Sequence, residues 1–91
     1  MKPRITIEMT ARGELEIYIN EAGRDLLVKE LKHLSEKSDH FHLGFPEMSE
    51  VELSSRPYGA DAQIVETGKV LFRTDAWDKL YFPHVLDNEA P

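Results

Sequence analysis

Two short runs of alternating residues, split by a turn, constrain this chain more than anything else in it. Ile5, Ile7 and Met9 alternate with Thr6, Glu8 and Thr10. After Ala11-Arg12-Gly13, Leu15, Ile17 and Ile19 alternate with Glu14, Glu16, Tyr18 and Asn20. A period of two places the apolar set on one face of a strand and the polar set on the other. A short turn holding Gly13 joins the runs as a β-hairpin. The apolar faces are expected to point inward. The polar face points outward, with Tyr18 as its exposed aromatic.

The period then changes. Asn20 is a good N-cap and Glu21 suits the positive end of a helix dipole. Leu27, Leu31 and Leu34 recur at four and three residues, and Leu26 and Val28 widen the stripe. Asp25 and Lys29 form a favourable i,i+4 pair, and Lys32 and Lys37 lie near the C-terminal end. The spacing predicts a helix over about residues 21–37. Gly23 costs a helix interior about 1 kcal/mol against Ala. Either the helix begins after it, or a packed strand leaves no room for a Cβ.

Residues 39–44, DHFHLG, read as a third strand with Phe41 and Leu43 on one face and His40 and His42 on the other. A turn follows at Gly44-Phe45-Pro46-Glu47. Val51 and Leu53 alternate with Glu50, Glu52 and Ser54 as a fourth strand, and residues 54–61 have loop composition. Strand character returns from Gln63 to Arg73. There Glu66-Thr67-Gly68-Lys69 is either a hairpin tip or the site of a bulge. Asp75 is placed to cap a short helical turn through Trp77 and Leu80, ended before Pro83. Trp77, Leu80, Tyr81, Phe82, Val85 and Leu86 make this tail too apolar to float, so it is expected to pack over the sheet or against a second copy. Asn88 to Pro91 should fray.

The expected fold is α+β. It is a single domain over residues 1–91, with its core at about 5–86. A small antiparallel β-sheet in β-β-α-β-β-β order carries one amphipathic helix on one face and ends in an apolar C-terminal tail. The uncovered face would carry Glu8, Glu14, Glu16, Tyr18, His40, His42, Glu50 and Glu52.

Composition narrows the function. The chain has no cysteine, which removes disulfides, thiolate nucleophiles and cysteine-ligated metals. Acidic residues number 17 and basic residues 11, for a net charge of -6. That balance opposes generic nucleic-acid binding, which needs a cationic surface. The longest apolar runs are of the length of Leu26-Leu27-Val28, so neither a secretory core nor a membrane span is expected, and the cytoplasm is the default compartment.

Catalytic signals are weak. His40 and His42 share a strand face about 6.6 Å apart, near enough to converge on a metal. A third ligand would have to come from His33, His84, Glu50 or Glu52 through the fold. The weightier reading is a polar sheet face. The glycines at 13, 23, 44, 59 and 68 are scattered and form no phosphate loop, and the serines show no nucleophile elbow. No catalytic residue, metal or other cofactor is expected. A face of glutamates instead favours a basic protein partner.

The hairpin–helix opening, the stretch DHFHLG and the acidic strand SEVELS resemble the Imm32 family of immunity proteins, over about residues 5–72. The resemblance implies a small, β-rich cytoplasmic protein of bacterial polymorphic toxin systems that binds and neutralises a cognate toxin. It brings no catalytic residues, and the tail from Asp75 to Pro91 has no counterpart in it. The expected partner-binding anchors are Tyr18, His40, His42, Glu50, Glu52 and Tyr58, with a basic toxin as partner. The alternatives are a metal-binding protein or metal-dependent enzyme built on the His-x-His strand, and a structural subunit that forms a homodimer through its C-terminal tail.

Overall fold

A computed structural model describes residues 1–86; the fraying expected of residues 88–91 lies outside them. The hairpin forms as the alternation requires. Strand β1 (Ile5–Met9) pairs antiparallel with β2 (Leu15–Ile19), setting Ile5 opposite Ile19, Ile7 opposite Ile17 and Met9 opposite Leu15. Gly13 takes the turn with φ +85°, a region open to glycine at little cost. Along its other edge β1 accepts amides from Ser54 and Val65 at Ile5 O and Ile7 O, and pairs with the short strand β5 (Gln63–Ile64).

Asn20 caps helix α1 (Glu21–His33), its Oδ1 accepting the Gly23 N–H at 2.8 Å. The same oxygen accepts the Arg4 N–H at 2.9 Å, which ties the helix start to β1. Gly23 lies inside the helix and is its one buried residue. A Cβ there would sit 2.9 Å from both Arg4 O and Ile5 Cγ1, so close packing explains the glycine. The helix stops at His33, short of the expected Lys37. Ser35 ends it: its N–H donates to Ser38 O and its hydroxyl accepts the Ser38 N–H, so the chain turns locally.

A second sheet is built on β3 (His40–Gly44), with β4 (Val51–Glu52) on one side and β6 (Gly68–Leu71) on the other. Among the described residues the architecture is therefore α+β, with two helices and with two three-stranded, mostly antiparallel sheets in place of the single sheet expected. One pairing departs from the expected all-antiparallel order: β3 and β4 run parallel. Residues 45–50 carry the chain back beside β3, with Glu47 at φ +72° in the return. The region from Gln63 to Arg73 is neither a hairpin nor one bulged strand. It is two strands in two sheets, with β5 serving β1 and β6 serving β3.

The core is small. Ile5, Ile7, Phe41 and Val51 are buried, with Leu26, Leu27, Leu34, Leu43, Leu53, Val65 and Val70 packed against them. The two apolar strand faces were expected inward; Ile5 and Ile7 of β1 obey, while Met9 at its end is 37% exposed. Leu15, Ile17 and Ile19 stay 53%, 55% and 45% exposed, because α1 seats on Ile5 and the core and leaves the edge strand β2 uncovered.

The tail also departs from expectation. Thr74, not Asp75, caps helix α2 (Asp75–Tyr81), its hydroxyl accepting the Trp77 N–H at 3.0 Å. A single 3₁₀ turn (Pro83–Val85) follows, and neither segment buries a residue. The tail does not pack over the sheet. The result is an extended molecule, with a radius of gyration of 15.8 Å against about 12 Å for a typical 91-residue domain.

Candidate binding surface

The expected acidic face does not exist as one surface. Its residues divide between the two sheets, and one of them is buried. Glu8 is 1% exposed. Its carboxylate accepts the backbone N–H of Tyr58 at 2.8 Å and of Gly59 at 3.2 Å. A buried carboxylate needs such donors. The polar face of β1 is thus closed by the chain's own loop, which the alternation of β1 alone does not reveal.

The same loop brings two of the expected anchors together. Tyr58 stacks on Tyr18 with ring centroids 3.9 Å apart and planes 8° from parallel. Tyr18 was expected to be the exposed aromatic, but the stack leaves it half-buried and Tyr58 exposed. The Tyr18 hydroxyl donates to Glu16 at 2.8 Å. That bond, reinforced by partial desolvation and the neighbouring negative charge, raises the Tyr18 phenol above its ordinary pKa.

His40, His42 and Glu50 gather on the second sheet. The two imidazoles meet edge to face at 5.0 Å. His40 Nδ1 donates to Asp39 at 2.8 Å, and Glu50 accepts both the His42 backbone N–H at 2.7 Å and His42 Nδ1 at 3.3 Å. The contact with His40, helped by Arg73, holds the Asp39 carboxyl below its ordinary range. The His42 amide does the same for Glu50. Each histidine thus has its own carboxylate. Among the described residues no three His, Asp or Glu side chains form a group able to hold a metal ion. Glu52 lies apart, 3.4 Å from Lys2 Nζ.

Next to this cluster is the surface that the choice of anchors missed. Arg73 Nη1 bonds Asp39 Oδ2 at 3.1 Å, and its guanidinium carbon stands 4.6 Å from the centre of the Trp77 ring. Trp77 in turn meets Tyr81 at 4.8 Å and Phe82 at 5.4 Å. Leu80, Tyr81 and Val85 are 76%, 62% and 56% exposed. An open groove of about 380 Å³ runs between this platform and Glu36, Asp39 and Phe72. The apolar tail was the signal in the sequence; that it stays uncovered was not. The arrangement offers aromatic, guanidinium and carboxylate groups for contact. No helix among the described residues is long and apolar enough to cross a membrane. Comparison with family profiles, with curated proteins and with solved structures finds no match to this chain.

Proposed function

We propose that this chain is a non-catalytic binding protein of the immunity type, which acts in the cytoplasm and neutralises a cognate toxin by covering part of its surface. The observation that carries the binding role is the tail. A helix and a 3₁₀ turn present Leu80, Tyr81, Phe82 and Val85 to solvent around Trp77 and Arg73, and bury none of them. Trp, Tyr and Arg dominate the energetics of protein interfaces, and a soluble domain rarely exposes such a group without a partner. The resemblance of residues 5–72 to the Imm32 family supports a toxin as that partner. The net charge of -6 supports a basic one, through faster encounter.

On this reading the aromatic platform is the anchor. His40, His42 and Glu50 flank it across Asp39, and the Tyr18–Tyr58 stack is a separate patch. The test is co-expression with the product of the adjacent reading frame, scored by survival and by co-purification. Protection and a stable complex are expected. Leu80→Ala with Tyr81→Ala, both exposed, should weaken that complex at least about 30-fold, the equivalent of one 2 kcal/mol hot spot, while leaving thermal stability unchanged. A toxic neighbour that is neither bound nor counteracted overturns the proposal.

A further inference from the structure

A second uncovered surface is independent of the tail. Strand β2 is the outer strand of its sheet, in the order β2-β1-β5. Its pairing with β1 alternates. The Asn20 N–H donates to Arg4 O and the Thr10 N–H to Glu14 O, so the even-numbered residues of this run turn their backbone groups towards β1. Leu15, Ile17 and Ile19 therefore direct theirs outward, and among the described residues these groups have no partner. Their side chains are also half exposed.

Native edge strands are usually guarded by Lys, Pro or a bulge. The edge strand β6 of the other sheet carries Lys69. The sequence of β2, Leu-Glu-Ile-Tyr-Ile, has no lysine, proline or bulge, and its one charge, Glu16, is bonded to the Tyr18 hydroxyl.

We propose that β2 is a homodimer strand, pairing antiparallel with β2 of a second copy about a twofold axis through Ile17. This register uses every outward backbone group. Ile17 faces its own symmetry mate, and Leu15 faces Ile19 of the second copy, for up to about six backbone hydrogen bonds. It also resolves the side chains. The three apolar residues meet apolar residues, and Glu16 stands opposite a tyrosine rather than opposite another glutamate. Shifting the axis to Glu16 sets two carboxylates face to face, and shifting it to Tyr18 leaves Leu15 unpaired.

The apolar surface that this pairing would cover is uncovered in one copy, where Leu15, Ile17 and Ile19 are 53%, 55% and 45% exposed.

The test is solution mass by light scattering and sedimentation, with three variants. The wild-type chain should run at twice 10.5 kDa at about 100 μM. Ile17→Lys sets two like charges at the axis and should give a monomer with unchanged circular dichroism, since Ile17 packs little within one copy. Ile17→Cys, in a chain without other cysteines, should oxidise to a dimer far faster than Leu71→Cys, which is exposed on β6 in the other sheet. A wild-type monomer at every concentration overturns the proposal. So does a dimer that survives Ile17→Lys, or equal cross-linking at the two cysteine positions. None of these outcomes depends on the toxin assay, so this proposal and the proposed function fail separately.

Discussion

Replacing Gly23 with alanine sets two effects of known size against each other. Helix propensity favours alanine by about 1 kcal/mol. The surroundings oppose it. The added carbon would lie 2.9 Å from Arg4 O, 2.9 Å from Ile5 Cγ1 and 3.1 Å from Asn20 Oδ1. Ordinary carbon contacts need about 3.5–4.0 Å. The Arg4 carbonyl cannot simply rotate away, because it accepts the Asn20 amide at 3.1 Å. Asn20 is equally committed, since its side chain accepts from Gly23 and Arg4 and donates to Lys2 O. Overpacking of this kind costs about 1–3 kcal/mol, and a weakened N-cap about 1 kcal/mol more. The net expectation is a loss of roughly 1–3 kcal/mol, seen as a melting temperature lower by roughly 5–20 °C. Urea denaturation and a thermal melt of Gly23→Ala measure it. Arg24→Ala, one residue on and exposed, should stay within about 0.5 kcal/mol of wild type. A Gly23→Ala protein as stable as wild type, or more so, would refute the packing account and restore propensity as the deciding effect.

Two further outcomes follow from the buried and paired carboxylates. Glu8→Ala removes the acceptor for two loop amides and should destabilise the fold by about 2–3 kcal/mol, with faster hydrogen exchange at Tyr58 and Gly59; Glu8→Gln, with one acceptor oxygen left, should fall between. Unchanged exchange at those amides would disprove the clamp. Asp39 and Glu50 both have carboxyls held below their ordinary range in the folded chain. Their stabilising contribution is present above the ordinary carboxylate range and is lost as pH falls through their lowered values. Acid titration of Asp39→Asn and Glu50→Gln should each show a shallower loss of stability on the acid side than wild type.

How much of this was legible depends on whether a contact is local. The hairpin, the Asn20 cap and the His40/His42 face are read correctly because each is fixed by residues within a few positions of one another. The exclusion of a Cβ at Gly23 was one of two open readings, and only the approach of Arg4 and Ile5 decides it. The misreadings lie where distant segments meet. Alternation shows that Glu8 and Ile7 face opposite ways, but not that a loop about 50 residues on will bury Glu8. The same alternation makes Ile17 look like core, although burial requires α1 to reach over β2, and it does not. The parallel pairing of β3 with β4 depends on the return through residues 45–50, which carries no periodic signal. The Tyr18–Tyr58 stack joins two expected anchors through that long-range loop, while the Trp77 platform was visible as apolar composition without a location.

The tail adds a different kind of freedom. Its helix hangs from the sheet by the Arg73–Asp39 pair and the Arg73–Trp77 contact, and contributes no side chain to the interior. Exchanging Leu80, Tyr81 or Val85 therefore changes the outer surface with little effect on whether the chain folds. Under the proposed binding role, this stretch can be rewritten at little cost while the scaffold behind it stays the same.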